Sequence, residues 1–439
     1  MPDTVVQYPS QCRLTVFWKR REKFTALKKR GFYAAAPAVA PLPTPEKEHF
    51  SLKSGEAKSV CIFNRIVEAS NDHTIVPLGA VVPDSSYLPL VALKNEITGT
   101  LKENHSVLID YSDELGALEL RCEIQKLMLL RGVKVEPEDI LLTNGCTEAL
   151  FLAVQSCSSP GDIIALESPV FLGTIQMLKN LKRRIITIPT SPATGMDLQK
   201  LEEAMQQEDI KCVIMSALFQ NPLGFVMPGE QRSAAVKLTA QYNVSLIEDD
   251  VYHDCSFRHT QERCLKSYDT DGHVLYCSSF SKTLASGIRS GWLIGGTGHR
   301  SAADMKIALS LGNSVLLQKA VARYLGSGRF ESHLFIMQKT MEQQMTEMAS
   351  ILVKTLPEGT AISQPKGGYY FWVELPEQYD SLELFESALQ AGISIVPGPA
   401  FSPENRYKNC MRITFASPIN ESVRNGIKKL GVLLERQNG

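Results

Sequence analysis

Between residues 140 and 294 the chain alternates short apolar runs with longer stretches in which apolar side chains recur at helical spacing. The runs at 140–143, 163–166, 184–188, 212–215, 244–248, 274–277 and 292–294 predict strands, and the stretches at 146–157, 171–181, 198–207 and 229–242 predict helices. Strand then helix, repeated, predicts a mostly parallel sheet covered on both faces, with ligand groups gathered on loops just beyond strand ends. Upstream, amphipathic patterns predict helices over 90–101 and 114–131, the second stopped by Gly132. Downstream, a long helical region around 301–356 gives way to apolar runs at 367–373, 393–396 and 411–415, with helices over 381–390 and 419–435. This last part reads as a smaller α/β domain, joined in space by residues 71–110.

Residues 1–70 break the pattern. From Arg13 to Arg30 eight basic residues stand against one acid, Glu22, a local charge of +7, and 34–45 reads A-A-A-P-A-V-A-P-L-P-T-P, an extended linker. The expected organisation is a basic segment and linker (1–70), an N-terminal part of the small domain (71–110), a large domain (111–330) and a C-terminal small domain (331–439). Composition narrows the function classes. With 46 basic and 47 acidic residues the net charge is −1, so no global field draws the chain to nucleic acid or anionic membranes. The ten cysteines form no C-x-x-C and no ligand spacing with histidine, which predicts reduced residues of a cytoplasmic protein and no metal site. No apolar run approaches the roughly 18 residues that span a bilayer.

Candidate chemistry concentrates in residues 277–296, C-S-S-F-S-K-T-L-A-S-G-I-R-S-G-W-L-I-G-G. Ser279, Ser281 and Arg289 offer charge-assisted hydrogen bonds to a phosphate, and Lys282, if desolvated, is an amine able to condense with an aldehyde. The same tetrapeptide S-x-S-K also reads as a solvated surface loop. At Thr143-Asn144-Gly145-Cys146-Thr147-Glu148, Gly145 permits a tight turn into a helix whose first amides, those of Cys146 and Thr147, suit a phosphate or a plain N-cap. Glu248-Asp249-Asp250-Val251-Tyr252 ends a strand with two aspartates between which the residues alone do not choose. Arg412 stands in an apolar strand, where an unpaired guanidinium is costly.

The pattern S-x-S-K-x4-G-x-R-x-G over 279–291 resembles the cofactor-lysine motif of the fold-type I pyridoxal-phosphate aminotransferases, and the resemblance covers residues 75–435. Ser286-Gly287 departs from the Pro-Gly of many relatives. The resemblance implies a fold-type I α/β architecture and pyridoxal 5′-phosphate held by Lys282 as a Schiff base. It selects Asp249 with Tyr252 through D-x-x-Y, Asp249 for the pyridine nitrogen and Tyr252 for the phenolic oxygen, which leaves Asp250 as a solvent-facing charge or a helix cap. Asn221, in N-P-L-G, would donate to that same oxygen and Phe171 would stack on the ring. Arg412 and Gly79 would bind the substrate, Arg412 through its α-carboxylate, and Tyr111 would reach the phosphate of a neighbouring subunit in a homodimer.

The resemblance is closest to the branch holding 2-aminoadipate aminotransferases and the MocR-type regulators of the GntR class. Arg30-Gly31-Phe32-Tyr33 is similar to the end of a wing, but no helix, turn and recognition helix precedes it, so the winged helix is expected to be incomplete. Two functions are implied. One is an aminotransferase, of full or vestigial turnover, acting on an L-amino acid and a 2-oxo acid. The other is a regulator whose aminotransferase-like domain senses the cofactor or an amino acid, with DNA contact limited to unspecific, salt-sensitive attraction to the basic segment.

Overall fold

The computed structural model describes residues 24–27, 31–34 and 61–437, apart from 73, 81 and 258–261. Its largest sheet has eight strands in the order Ile140–Thr143, Gly291–Ile294, Val274–Ser279, Ser245–Asp249, Ile210–Met215, Ile163–Ser168, Arg184–Ser191 and Gly195–Met196. Neighbours from Val274–Ser279 across to Arg184–Ser191 pair in parallel, and the edge pairings are antiparallel.

Successive side chains of a strand point to opposite faces, and both faces here are covered. Ile164 and Leu166 pack under the helices Cys146–Cys157, Leu172–Asn180 and His299–Ser310, while Ile163 and Ala165 pack under Leu198–Gln207 and Gly229–Gln241. Continuous Ile/Val/Leu runs therefore follow from burial on two sides. The C-terminal ends of the parallel strands converge on one edge, where loops carry the polar residues described below.

A second, antiparallel sheet runs Ala361–Ile362, Tyr370–Glu374, Cys410–Thr414, Val396–Pro397. The helices Ser381–Gln390, Glu421–Gln437 and Arg329–Thr355 accompany it. Val76–Pro77 pairs in parallel with Ile393–Ser394 in this part of the molecule. The next helix, Leu90–Glu103, lies instead on Val315–Gly326, where Arg323 Nε donates to Glu96 Oε2 at 3.0 Å.

The helical region around 301–356 is three helices, interrupted at Leu311 and Gly328, whose φ values of 52° and 70° are left-handed. Residues 61–71, read in the sequence as the end of a segment and linker, form the helix Cys61–Asn71, with Ile66 buried against the main core. Phe24–Leu27 pairs antiparallel with Gly31–Ala34, and the second strand holds Gly31, Phe32 and Tyr33 of the residues read as the end of a wing; Arg30 lies outside the described residues. The stretch before it, where a reading helix would stand, lies outside the described residues. Among the described residues no helix is long and apolar enough to cross a membrane.

Candidate active site

A cavity of about 360 Å³ opens at the C-terminal edge of the large sheet, between it and the second sheet. Lys282, Asp249, Tyr252, Asn221, Cys146, Thr147, Phe171, Ser279, Ser281, Arg289, Gly79 and Arg412 all line it. They come from separate loops because parallel neighbours end together. Asp249 closes its strand opposite Cys277 in the next one, and Lys282 follows in the turn Phe280–Lys282. That turn is pinned from the second sheet: the Tyr369 hydroxyl donates to the Lys282 carbonyl at 2.7 Å.

Burial pushes the Lys282 ammonium down to about 8, and the nearby Arg412 charge acts in the same direction. About a tenth of such an amine is neutral at pH 7, against a few parts in ten thousand for an ordinary lysine. Burial likewise lifts Asp249 to about 6, opposed by a hydrogen bond from Cys146, whose Sγ stands 3.3 Å from Oδ1. The thiol itself is pushed well above its usual range by burial and by Asp249, so Cys146 is a donor to the carboxylate and not a nucleophile.

Around the start of the helix Cys146–Cys157 stand groups that could hold an anion. Gly145 precedes it with φ 83°, leaving the first helical amides pointing outward. Arg289 crosses over from its own left-handed position (φ 51°), donating to the Asn144 carbonyl at 2.6 Å and to Ser281 Oγ at 3.4 Å. Its guanidinium lies so close to Gly145 that an added Cβ would run into it. The acid of that first helical turn, Glu148, is drawn aside by the buried Lys306 at 2.7 Å and by the Asn144 amide at 2.6 Å.

Arg412 is 3 % exposed and donates from Nη1 to Asn221 Oδ1 at 2.8 Å and from Nη2 to the Gly79 carbonyl at 2.9 Å. Its Nε is buried without a hydrogen-bond partner among the described residues. Tyr252 stands edge-on to Tyr369 and Tyr370, at 6.1 and 5.5 Å between ring centres, and burial raises its hydroxyl above the usual range. Lys282 Nζ lies 5.6 Å from the centre of the Tyr252 ring.

Tyr111 does not join this cleft. It is 82 % exposed and lines a separate cavity with Leu108, Leu311 and the polar Asp110, Ser112 and Asn313. Asp250, which the sequence presents as a solvent-facing charge or a helix cap, is buried. Its Oδ2 accepts from the Tyr276 hydroxyl at 2.8 Å and sits 2.7 Å from His253 Nδ1. One lining acid escaped the sequence reading: Glu167, buried, with Oε2 accepting from the Ser216 amide at 3.1 Å and Oε1 without a partner among the described residues. Burial lifts it to about 8. Its only sequence signal is a charged residue at the end of an otherwise apolar strand. The helix Cys61–Asn71, also missed, contributes Phe63, Ile66 and Val67 to the cleft wall.

Residues 81–430 match the family model described as aminotransferase class I and II. An uncharacterized HTH-type transcriptional regulator, YjiR of Escherichia coli (strain K12), is 35% identical over 92% of this chain and 84% of its own. Aromatic-amino-acid aminotransferase 1 of Thermococcus litoralis is 29% identical, over 90% of this chain and 96% of its own. Among solved structures, LysN, the alpha-aminoadipate aminotransferase of Thermus thermophilus complexed with N-(5′-phosphopyridoxyl)-L-leucine, superposes with a TM-score of 0.80. It is 25% identical, over 88% of this chain and 96% of that one.

Proposed function

The chain belongs to the class I and II aminotransferase family, and from that premise we propose that it moves the amino group of an L-amino acid to a 2-oxo acid, using pyridoxal 5′-phosphate. The observation that most supports this is the meeting of Lys282, Asp249 and Arg412 in one cleft beside an anion cradle. The residues fit the cofactor: a partly desolvated amine, a buried carboxylate, and a helix start whose glycine leaves room only for an arginine fork. When bound, the cofactor supplies an aldehyde and a protonated ring that accepts the electrons released at the substrate α-carbon.

Each residue then has a task. The amides after Gly145, with Ser279, Ser281 and Arg289, hold the phosphate. Asp249, whose ionised form the Cys146 thiol favours against burial, holds the proton on the ring nitrogen. Asn221 and Tyr252 direct donors at the phenolic oxygen, and Phe171 covers the ring face. Arg412 takes the α-carboxylate while Gly79 and Asn221 brace its fork. Lys282, neutral in part near pH 7, removes the proton at the substrate α-carbon as general base.

The test is spectroscopic. Purified protein loaded with cofactor should change its absorbance on mixing with an amino acid and recover it on adding a 2-oxo acid. A loaded protein that no amino acid alters would overturn the proposal.

A second reading is favoured by the 35% identity to an HTH-type transcriptional regulator and by the pairing of Phe24–Leu27 with Gly31–Ala34 at the end of the basic stretch. In it the same cleft senses cofactor or amino acid, and turnover is slow or absent. Footprinting that finds one DNA sequence protected at physiological salt, in a protein without transamination, would select this reading. Exposed Leu108, Ile109, Tyr111 and Leu311 support a homodimer in which Tyr111 faces the partner's cleft. Eight free cysteines among the described residues support a cytoplasmic setting.

A further inference from the structure

The cleft has a third region, apart from the phosphate cradle and the carboxylate clamp. The helix Cys61–Asn71 lines it with Phe63, Ile66 and Val67, and Val82 adds further apolar lining. Val82 follows closely on Gly79, whose carbonyl braces Arg412, so the loop that positions the clamp also supplies apolar surface beside it.

Charge on this wall is arranged to be absent. The one cation of the lining helix, Arg65, is turned to the small domain, where both its terminal nitrogens donate to Glu386, Nη2 to Oε2 at 2.7 Å. Among the described residues the cations that line the cleft are Lys282, Arg289 and Arg412. The transamination reading commits these three to the aldehyde, the phosphate and the α-carboxylate. Within the protomer none is left for a second carboxylate, and the lining acids Glu167 and Asp249 offer it no attraction. Burying an unpaired carboxylate against an apolar wall is costly, whereas an aliphatic or aromatic side chain gains by leaving water there.

We propose that the cleft takes amino acids with apolar side chains, aliphatic or aromatic, and rejects those with a second carboxylate; the assignment rests on the transamination reading for the roles of the three cations. The test uses the full chain loaded with cofactor. Three acids are titrated against the cofactor absorbance: 4-methylpentanoate, 3-phenylpropanoate and glutarate, the skeletons of leucine, phenylalanine and glutamate without their amino groups. The first two should bind at least about tenfold more tightly than glutarate. Glutarate binding as tightly or more so would overturn the proposal.

Val67→Arg places a cation on the wall and should move the ratio toward glutarate by about tenfold or more, with cofactor absorbance retained. An unmoved ratio counts against the proposal. A protein that binds the acids in the expected order yet takes no amino group from leucine or phenylalanine would sink the function proposed above, while the preference of the cleft would stand.

Discussion

Arg412 Nη1 stands 2.8 Å from Asn221 Oδ1, a bond that joins the strand Cys410–Thr414 of the second sheet to the turn after Ile210–Met215 of the first. Because the amide oxygen is taken, Asn221, which lines the cleft, has Nδ2 as its remaining donor. Under the transamination reading one side chain would steady the carboxylate clamp and donate a hydrogen bond to the cofactor's phenolic oxygen. Asn221→Asp removes the donor and sets a carboxylate against the guanidinium, where it competes with the substrate. Carboxylic acids should then bind about tenfold or more weakly, with cofactor still attached. Titration of the cofactor spectrum checks this, and unchanged affinity would separate Asn221 from the clamp.

The depressed Lys282 gives a pH signature to the cofactor-free protein. An amine that titrates at about 8 should capture the cofactor aldehyde at a rate that climbs through that pH and then levels. A rate still climbing beyond pH 10 would mean an ordinary lysine. Stability follows with a definite sign. Between about 8 and the usual 10.5 the folded chain binds fewer protons than the unfolded one, so this group's contribution improves as pH rises across that window. Below it the buried charge is a cost. Lys282→Met should therefore stabilise the cofactor-free protein at pH 7 by on the order of 1–2 kcal/mol, once partial exposure is discounted, and abolish covalent attachment.

Glu167 gives the opposite slope. Its carboxyl titrates at about 8 instead of 4.5, chiefly through burial, so over that range the folded chain holds a proton that the unfolded chain has lost. Stability from this group is present below about pH 4.5 and declines up to about pH 8. Glu167→Gln keeps an acceptor for the Ser216 amide and removes the titration. Denaturation of the cofactor-free protein at pH 5 and pH 8 should show a loss smaller by on the order of a few kcal/mol in the variant. An equal loss in both would show that Glu167 is ionised throughout.

How far the sequence could be read depends on where each signal sits. Strands buried on both faces announce themselves as apolar runs, so Ile140–Thr143 and the helix Cys146–Cys157 have the bounds that periodicity gives them. Lys282 and Asp249 stand in short motifs at strand ends, visible in one window. Glu167 is different. Its meaning comes from Ser216, 49 residues on and brought beside it by parallel pairing. Asp250 reads wrongly for the same reason, since the hydroxyl that holds it belongs to Tyr276 on the neighbouring strand. The helix Cys61–Asn71 carries its own helical pattern in Ile62, Phe63, Ile66 and Val67, but the basic and proline-rich stretches before it read with it as one continuous segment and linker.

The phosphate cradle makes the last claim that a single methyl group can test. Gly145 carries φ 83° with ψ 174°, a conformation nearly confined to glycine, which costs an alanine on the order of 1–3 kcal/mol in backbone strain. The larger effect is local: the new Cβ would occupy the space of the Arg289 guanidinium, which is held there by the Asn144 carbonyl and Ser281. The guanidinium is the far end of a flexible side chain and can swing away, but only by giving up those hydrogen bonds to Asn144 and Ser281. Gly145→Ala should therefore lose cofactor affinity by about 100-fold or more, the worth of displacing a charge-assisted contact to phosphate, while folding at saturating cofactor persists. Equilibrium dialysis against pyridoxal phosphate measures the first and circular dichroism the second. Pyridoxal without its phosphate should bind the variant and the parent about equally, since only the cradle has changed; a matching loss for both ligands would remove the phosphate from Gly145 and Arg289.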